Sequence, residues 1–229
     1  MERRKFVAAA AVGCVLVSAG CGGTTGGNAV TPTPPKLVAR PLVERELPGL
    51  LLNADQVSAA MGVAKMVITN TATSMADNAA FMTPPECLAV DGAAEARVYV
   101  DSGYLAERDQ SLSDGDTLDH YVKQAVVLFP TADQARSFLS ASAQEWPSCH
   151  EYVHTQSQTR WSVGQITATD DAVSTTATQQ EAKAPGRACG RALERRNNVI
   201  VDVNTCAADP ADSASKIADQ IAGNVAAKW

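Results

Sequence analysis

The sequence predicts an α+β domain, a largely antiparallel sheet with helices laid against it. Three observations carry that expectation. Helical and strand-like segments follow one another as helix, strands, helix, strands, helix. The connections between successive strand-like runs are short, which favours antiparallel neighbours. And two apolar runs flank Asn197-Asn198, a pair that tolerates the positive φ of a two-residue hairpin turn.

The elements follow in order. Asn53, Ala54, Asp55 and Gln56 have the form of a capping box; Val57, Ala60 and Met61 share one helical face, and Gly62 stops the helix. Lys65 to Thr71 alternates weakly and predicts a strand, and Ala72 to Pro85 reads as loop. Ala96 to Val100 and Tyr104 to Gln110 read as strands around Ser102-Gly103. His120 to Phe129 is a strand with a nearly continuous apolar run from Ala125, ended by Pro130. Thr131 then opens a helix whose Ala135, Phe138, Leu139 and Ser142 line one face, closed by Trp146-Pro147. Tyr152 to Thr155, Arg160 to Thr169 and Val173 to Gln179 read as short strands, and a hairpin from Cys189 to Cys206 follows. Asp209-Pro210 starts the last helix, with Pro210 in its first position. Its Ala214, Ile217, Ala218, Ile221, Ala222 and Val225 recur at the spacing of one buried helical stripe.

Before the domain, the chain reads as an export signal. Arg3, Arg4 and Lys5 precede an apolar run from Phe6 to Val17, of signal-peptide length and too short for a stable membrane span. Ser18-Ala19-Gly20 and then Cys21 are close to the lipobox of bacterial lipoproteins, with Ser18 where Leu is usual. Residues 1–20 are therefore expected to be removed and Cys21 to carry lipid. Residues 21–47, Gly/Thr-rich and then Pro-rich, form a flexible tether, and residues 48–229 the folded domain. The expected location is the extracytoplasmic face of the cell membrane, held by the lipid on Cys21.

Composition excludes some partners. The 229 residues carry a net charge of -6, which disfavours nucleic acid, because phosphate binding needs a basic face. Aromatics at 5% argue against a base- or sugar-stacking platform.

Cys87, Cys149, Cys189 and Cys206 lie in the domain, and an exported chain oxidises its thiols. If Arg196 pairs with Val199 across the hairpin turn, Cys189 falls opposite Cys206 in a non-hydrogen-bonded pair, which suits a cross-strand disulfide. That leaves Cys87 with Cys149. On the same hairpin Val199, Val201 and Val203 face one way, while Arg191, Arg195, Asp202 and Asn204 face the other, beside the disulfide. That polar face is the candidate lining of a ligand cleft; the alternative is a solvated face with Arg–Asp cross-strand pairs.

Several stretches resemble one family. They are Leu51-Leu52-Asn53-Ala54-Asp55-Gln56-Val57, Met75-Ala76-Asp77-Asn78, the run from Gln124 to Phe129, the run from Ser142 to Cys149, Arg196-Asn197-Asn198-Val199, and the run from Pro210 to Ala214. In order, over residues 48 to 228, they resemble the PknH-like extracellular sensor domain of mycobacteria. The resemblance implies an α+β domain, two disulfides in sequential pairing, and a cleft for an unidentified ligand. The chain departs from the family's pattern around Gly186 to Arg191, where an aromatic often precedes the Cys. The function it implies is a sensor-like, lipid-anchored domain that binds a small envelope molecule or an exported protein, without catalysis or cofactor.

One motif argues otherwise. His150-Glu151-Tyr152-Val153-His154 fits H-E-x-x-H, which on a helix sets two imidazoles on one zinc with the Glu activating water. A third ligand would have to come from elsewhere, such as Glu181 or His120. The strand-like composition after Glu151 opposes this, since an extended chain would hold His150 and His154 about 13 Å apart. Asp114, Asp116 and Asp119 suggest a cation site, but the EF-hand spacing is absent and a solvated loop accounts for them.

Overall fold

The computed structural model describes residues 39–115 and 119–228. The expected signal segment, Cys21, the tether as far as residue 38, and Asp116 lie outside the described residues.

The strands are β1 (Val67–Ala72), β2 (Met82–Thr83), β3 (Ala106–Ser113), β4 (Tyr121–Leu128), β5 (Glu151–His154), β6 (Thr159–Val163), β7 (Thr167–Ala168), β8 (Ala172–Gln179), β9 (Ala188–Arg196) and β10 (Val199–Ala207). They form one sheet in the order β1-β3-β4-β10-β9-β8-β6-β5-β2, with β7 beside β8, and neighbouring strands run antiparallel. The central hairpin has the register its turn predicts: Arg196 opposes Val199 and Cys189 opposes Cys206. Asn197 takes a φ of 56° at the turn.

Two layers cover the sheet. On one face lie the short 3-10 turn Glu44–Gly49, helix α1 (Ala54–Met61) and helix α5 (Ser213–Ala226). Asn53 and Gln56 close the capping box of α1, and Gly62 ends it at a φ of 70°. The α5 stripe from Ala214 to Val225 packs on Val199, Val201 and Val203 of β10 and Val122 and Val126 of β4. Each such Ile or Val contributes roughly 1.5–3 kcal/mol on burial. Gly190 of β9 sits under this helix, where a Cβ would come 3.3 Å from that of Ala214.

On the opposite face lie α2 (Leu88–Asp91), α3 (Ala96–Tyr99) and α4 (Ala132–Glu145). They bury Val127, Val173, Leu193 and Ile200 of the sheet together with Tyr99, Phe129, Leu139 and Trp146. Both disulfides, Cys87–Cys149 and Cys189–Cys206, belong to this layer. Among the described residues no helix is long and apolar enough to cross a membrane.

Three expectations are corrected. The fold begins before residue 48: Leu42 and Leu47 are buried, and Asn198 accepts from the Leu42 N–H and donates to its carbonyl. The end of the expected tether is thus part of the domain. Ala96–Tyr99 is a helical turn where a strand was expected. The turn brings the Tyr99 hydroxyl inward to donate to Asp202 at 2.9 Å, a tertiary contact that outweighs the strand propensity of Val98, Tyr99 and Val100. Helix α5 starts at Ser213, three residues past Pro210, because Ala211 adopts a φ of 46° and breaks the helical path.

Candidate functional site

Residues alternate between the faces of a strand, so the antiparallel register decides which side chains meet. On the α2–α4 face it aligns Ser111 of β3, Lys123 of β4, Asn204 of β10 and Arg191 of β9 in one row. Trp161 of β6 and Tyr152 of β5 stand opposite each other on the same face. The segment 73–95 arches over this surface. Its two ends are closed on each other where Ala96 N–H donates to Ala76 O at 2.7 Å and Ala76 N–H to Ala94 O at 3.2 Å.

Between arch and sheet lies a cleft of about 470 Å³. Lys123 and Asn204 form its floor beside the Cys189–Cys206 disulfide; Asp91 and Glu95 hang from the arch; Asn70 and Asn78 stand at the mouth; His154 and Trp161 form a side wall. A second cavity of about 260 Å³ adjoins it, and Asn78, Asp91 and His154 line both. The hydrogen bond between His154 Nε2 and Asp91 Oδ1, 2.8 Å, is the bar between the two. It raises the His154 pKa against the opposing effect of burial. Tyr152, His154 and Trp161 pack as neighbouring rings with centroids 5.7–6.1 Å apart.

The two arch carboxylates are fixed differently. Glu95 is buried and accepts from the Asn78 N–H at 3.0 Å and from Asn78 Nδ2 at 2.7 Å; burial nevertheless pushes its pKa up. Asp91 is half-buried, and its carbonyl accepts from Asn204 Nδ2 at 2.9 Å, which ties arch to floor. Beyond Lys123 lie two buried carboxylates of β3, Glu107 and Asp109. Neither Glu107 oxygen has a hydrogen-bond partner among the described residues, and Lys123 Nζ stands 3.9 Å from Asp109 Oδ2. Burial, with Asp109 second, drives Glu107 up to about 7.

Of the four residues expected to line a cleft, Asn204 does line this one. Arg191 and Asp202 form a buried ion pair beneath the arch. Arg195 pairs with Asp171, next to the start of β8. The expectation placed all four on one face correctly but could not see the arch that covers two of them.

The helical H-E-x-x-H geometry is not present. Glu151 to His154 is strand β5, His150 and Glu151 are exposed, and His154 gives Nε2 to Asp91. Glu181 lies in a turn and His120 pairs with Asp114. Among the described residues no group of three or more His, Cys, Asp or Glu is arranged to hold a metal ion. Sequence reasoning missed Asp91, Glu95 and Lys123. Only Lys123 carried a signal, as the one charged residue of a mostly apolar strand.

Residues 42–224 match the family described as PknH-like extracellular domain. The chain is 34% identical over 225 residues to the serine/threonine-protein kinase PknH of Mycobacterium bovis, an alignment covering 96% of this chain and 37% of the kinase. It is 35% identical over 191 residues to the serine/threonine-protein kinase PknH of Mycobacterium tuberculosis, covering 81% of this chain and 30% of the kinase. It thus spans about a third of the length of these relatives. The crystal structure of the extracellular domain of PknH from Mycobacterium tuberculosis superimposes with a TM-score of 0.76 at 33% identity, covering 82% of this chain and 99% of that one. With fold and sequence in agreement over nearly the whole described region, this chain belongs to the family of PknH-like extracellular domains.

Proposed function

We propose that this protein is an exported lipoprotein, held by lipid on Cys21 at the extracytoplasmic face of the cell membrane, whose domain binds an envelope ligand without catalysing a reaction. The ligand is a small envelope molecule or a segment of an exported protein. The observation that carries this reading is the cleft under the arch, where polar groups of β1, β3, β4, β5 and β10 converge with Asn78, Asp91 and Glu95 of the arch on one space. The extracellular family supports the location, and two disulfides suit an oxidising compartment.

The test of binding is a thermal shift of the full chain with a small-molecule extract of bacterial envelope, run on the wild type and on Asn78→Trp, whose indole would fill the exposed cleft mouth. The reading expects a rise in melting temperature that the variant loses. An equal rise in both proteins, or none in either, overturns it. The anchor is tested separately: Cys21→Ser is expected to move the protein from the detergent to the aqueous phase in phase partition, because nothing replaces the acyl chains.

A further inference from the structure

The carboxylates of the cleft are already engaged. Asp91 Oδ1 holds His154, and both Glu95 oxygens accept from Asn78. What remains at the cleft is carboxamide, ammonium and the paired hydroxyls of Ser111 and Tyr121; Arg187 lines it too and already donates to the Asp119 carbonyl. The Asn70 side chain has no hydrogen-bond partner among the described residues. Asn78 has given Nδ2 to Glu95 and keeps its oxygen, and Asn204 has given Nδ2 to the Asp91 carbonyl and keeps its own. Lys123 brings up to three N–H donors; Asp109 Oδ2 stands 3.9 Å away, and the Lys123 charge is also felt by Glu95 and Glu107.

That inventory selects among ligand charges. A phosphate or carboxylate is anionic and mainly accepts, and it would enter beside Asp91 and Glu95. A free ammonium only donates, and it would meet Lys123 and the His154 whose pKa is raised. A hydroxyl both donates and accepts, as an open carboxamide does, and carries no charge for either set to repel. Vicinal hydroxyls would bridge Asn204 and Lys123 at the floor and Asn70 at the mouth. A peptide is less well served. Peptide capture by strand addition needs a free strand edge, and the floor strands β4, β9 and β10 are interior strands whose main chains are already paired.

We infer that the cleft takes a neutral saccharide, read through Asn70, Asn78, Asn204 and Lys123 with Trp161 and the Cys189–Cys206 disulfide as the apolar side of the site. This rests on the proposed reading of the cleft as a ligand site. Its volume of about 470 Å³ falls among small-ligand sites. Low aromatic content does not oppose it: the chain has few rings, but Trp161 lines this wall with the His154 imidazole against it, centroids 5.8 Å apart.

The test uses the full chain in a detergent without a sugar headgroup. Binding is measured on an array of neutral oligosaccharides and by calorimetry with maltose, cellobiose and chitobiose, with tetra-alanine and inorganic phosphate as comparators. The inference expects at least one saccharide to bind, and Asn70→Ala and Lys123→Met each to weaken it about fivefold to tenfold, the effect of losing one polar contact. Asn70 is exposed on an edge strand, so its variant tests the site without risk to the fold. Saccharide binding unchanged in both variants overturns the assignment to this cleft. No saccharide binding, or binding of tetra-alanine or phosphate in its place, overturns the saccharide class. The envelope-extract shift and its loss in Asn78→Trp then decide separately whether the cleft binds anything.

Discussion

Arg191 and Asp202 meet 2.5 Å apart beneath the arch, with 2% and 1% of their side chains exposed. They sit on neighbouring strands one step off the direct pairing, which sets Asp202 against Leu193 and Arg191 against Asn204. Each then reaches up to the arch. Asp202 Oδ2 accepts from the Ala94 N–H and the Tyr99 hydroxyl, both at 2.9 Å, and Arg191 donates to the Gly92 carbonyl at 2.7 Å. The Arg191 guanidinium also lies 5.3 Å from the centre of the Trp146 ring. The pair therefore staples the segment carrying Asp91 and Glu95 onto the sheet. Residues that read as cleft lining in the sequence hold the arch and its carboxylates in place instead.

Removing one partner of such a pair leaves an uncompensated buried charge. Arg191→Met is expected to destabilise the domain by about 3–5 kcal/mol, measured from the urea midpoint. The double variant Arg191→Met, Asp202→Leu should recover part of that loss, since no lone charge then remains. A single variant within about 0.5 kcal/mol of wild type would show that the pair does not hold the arch.

Stability should fall between pH 5 and pH 8. Glu107 rises from its ordinary range to about 7, so the folded state binds its proton more tightly than the unfolded chain does. That contribution is complete below the unfolded value near 4.5 and is lost as pH rises toward 7. Glu194 also rises to about 7, driven by burial and then by Asp219, and Glu95 and His154 shift in the same direction. Glu46 is held down at about 2 by Arg40, so its opposing effect appears only in stronger acid. Glu107→Gln should flatten the pH profile and stabilise the protein at pH 8, by on the order of 2–3 kcal/mol. Denaturant titrations at the two pH values check it, and an unchanged slope in the variant would refute the role of Glu107.

The two disulfides should differ in worth. The bridge across the hairpin closes 17 residues and that between Cys87 and Cys149 closes 62. Paired Cys→Ser variants are expected to lose about 3 kcal/mol and about 4 kcal/mol respectively on the chain-entropy account. Loss of the hairpin bridge should also loosen the cleft floor, where it stands between Asn204 and Trp161. Hydrogen exchange at β9 and β10 measures that second effect.

His154→Ala tests the H-E-x-x-H pattern against the observed strand. With His154 bonded to Asp91, the variant should lose roughly 1 kcal/mol of stability at pH 5 and less at pH 8, with no change in bound zinc. The pH trend follows from the raised His154 pKa, since the ion pair fades as the imidazole loses its proton. Stoichiometric zinc in the wild type that disappears in the variant would restore the hydrolase reading.

Much of the fold was legible because it is locally encoded. The capping box at Asn53, the Asn197-Asn198 turn and the α5 stripe each name their partners within a few residues, and the structure has all three. The hairpin turn also set the face shared by Arg191, Asp202 and Asn204 and the pairing of Cys189 with Cys206. The site was legible only in part. Nothing near Asp91 or Glu95 in the sequence marks them, because their partners Asn204, His154 and Asn78 lie 17 to 113 residues distant. The short helix Ala96–Tyr99 was misread for the same reason: Tyr99 turns inward to meet Asp202, 103 residues further on.

The sequence alone determined the class of the fold, the register of its central hairpin and the acidity that disfavours nucleic acid. These depend on residue type at short spacing, or on totals. Only the tertiary structure decided which polar residues face a cavity and which are consumed beneath it. A sheet face is common to every side chain that alternates onto it, whereas the arch covers some of them and leaves others open. That division depends on contacts between distant segments, which no local pattern encodes.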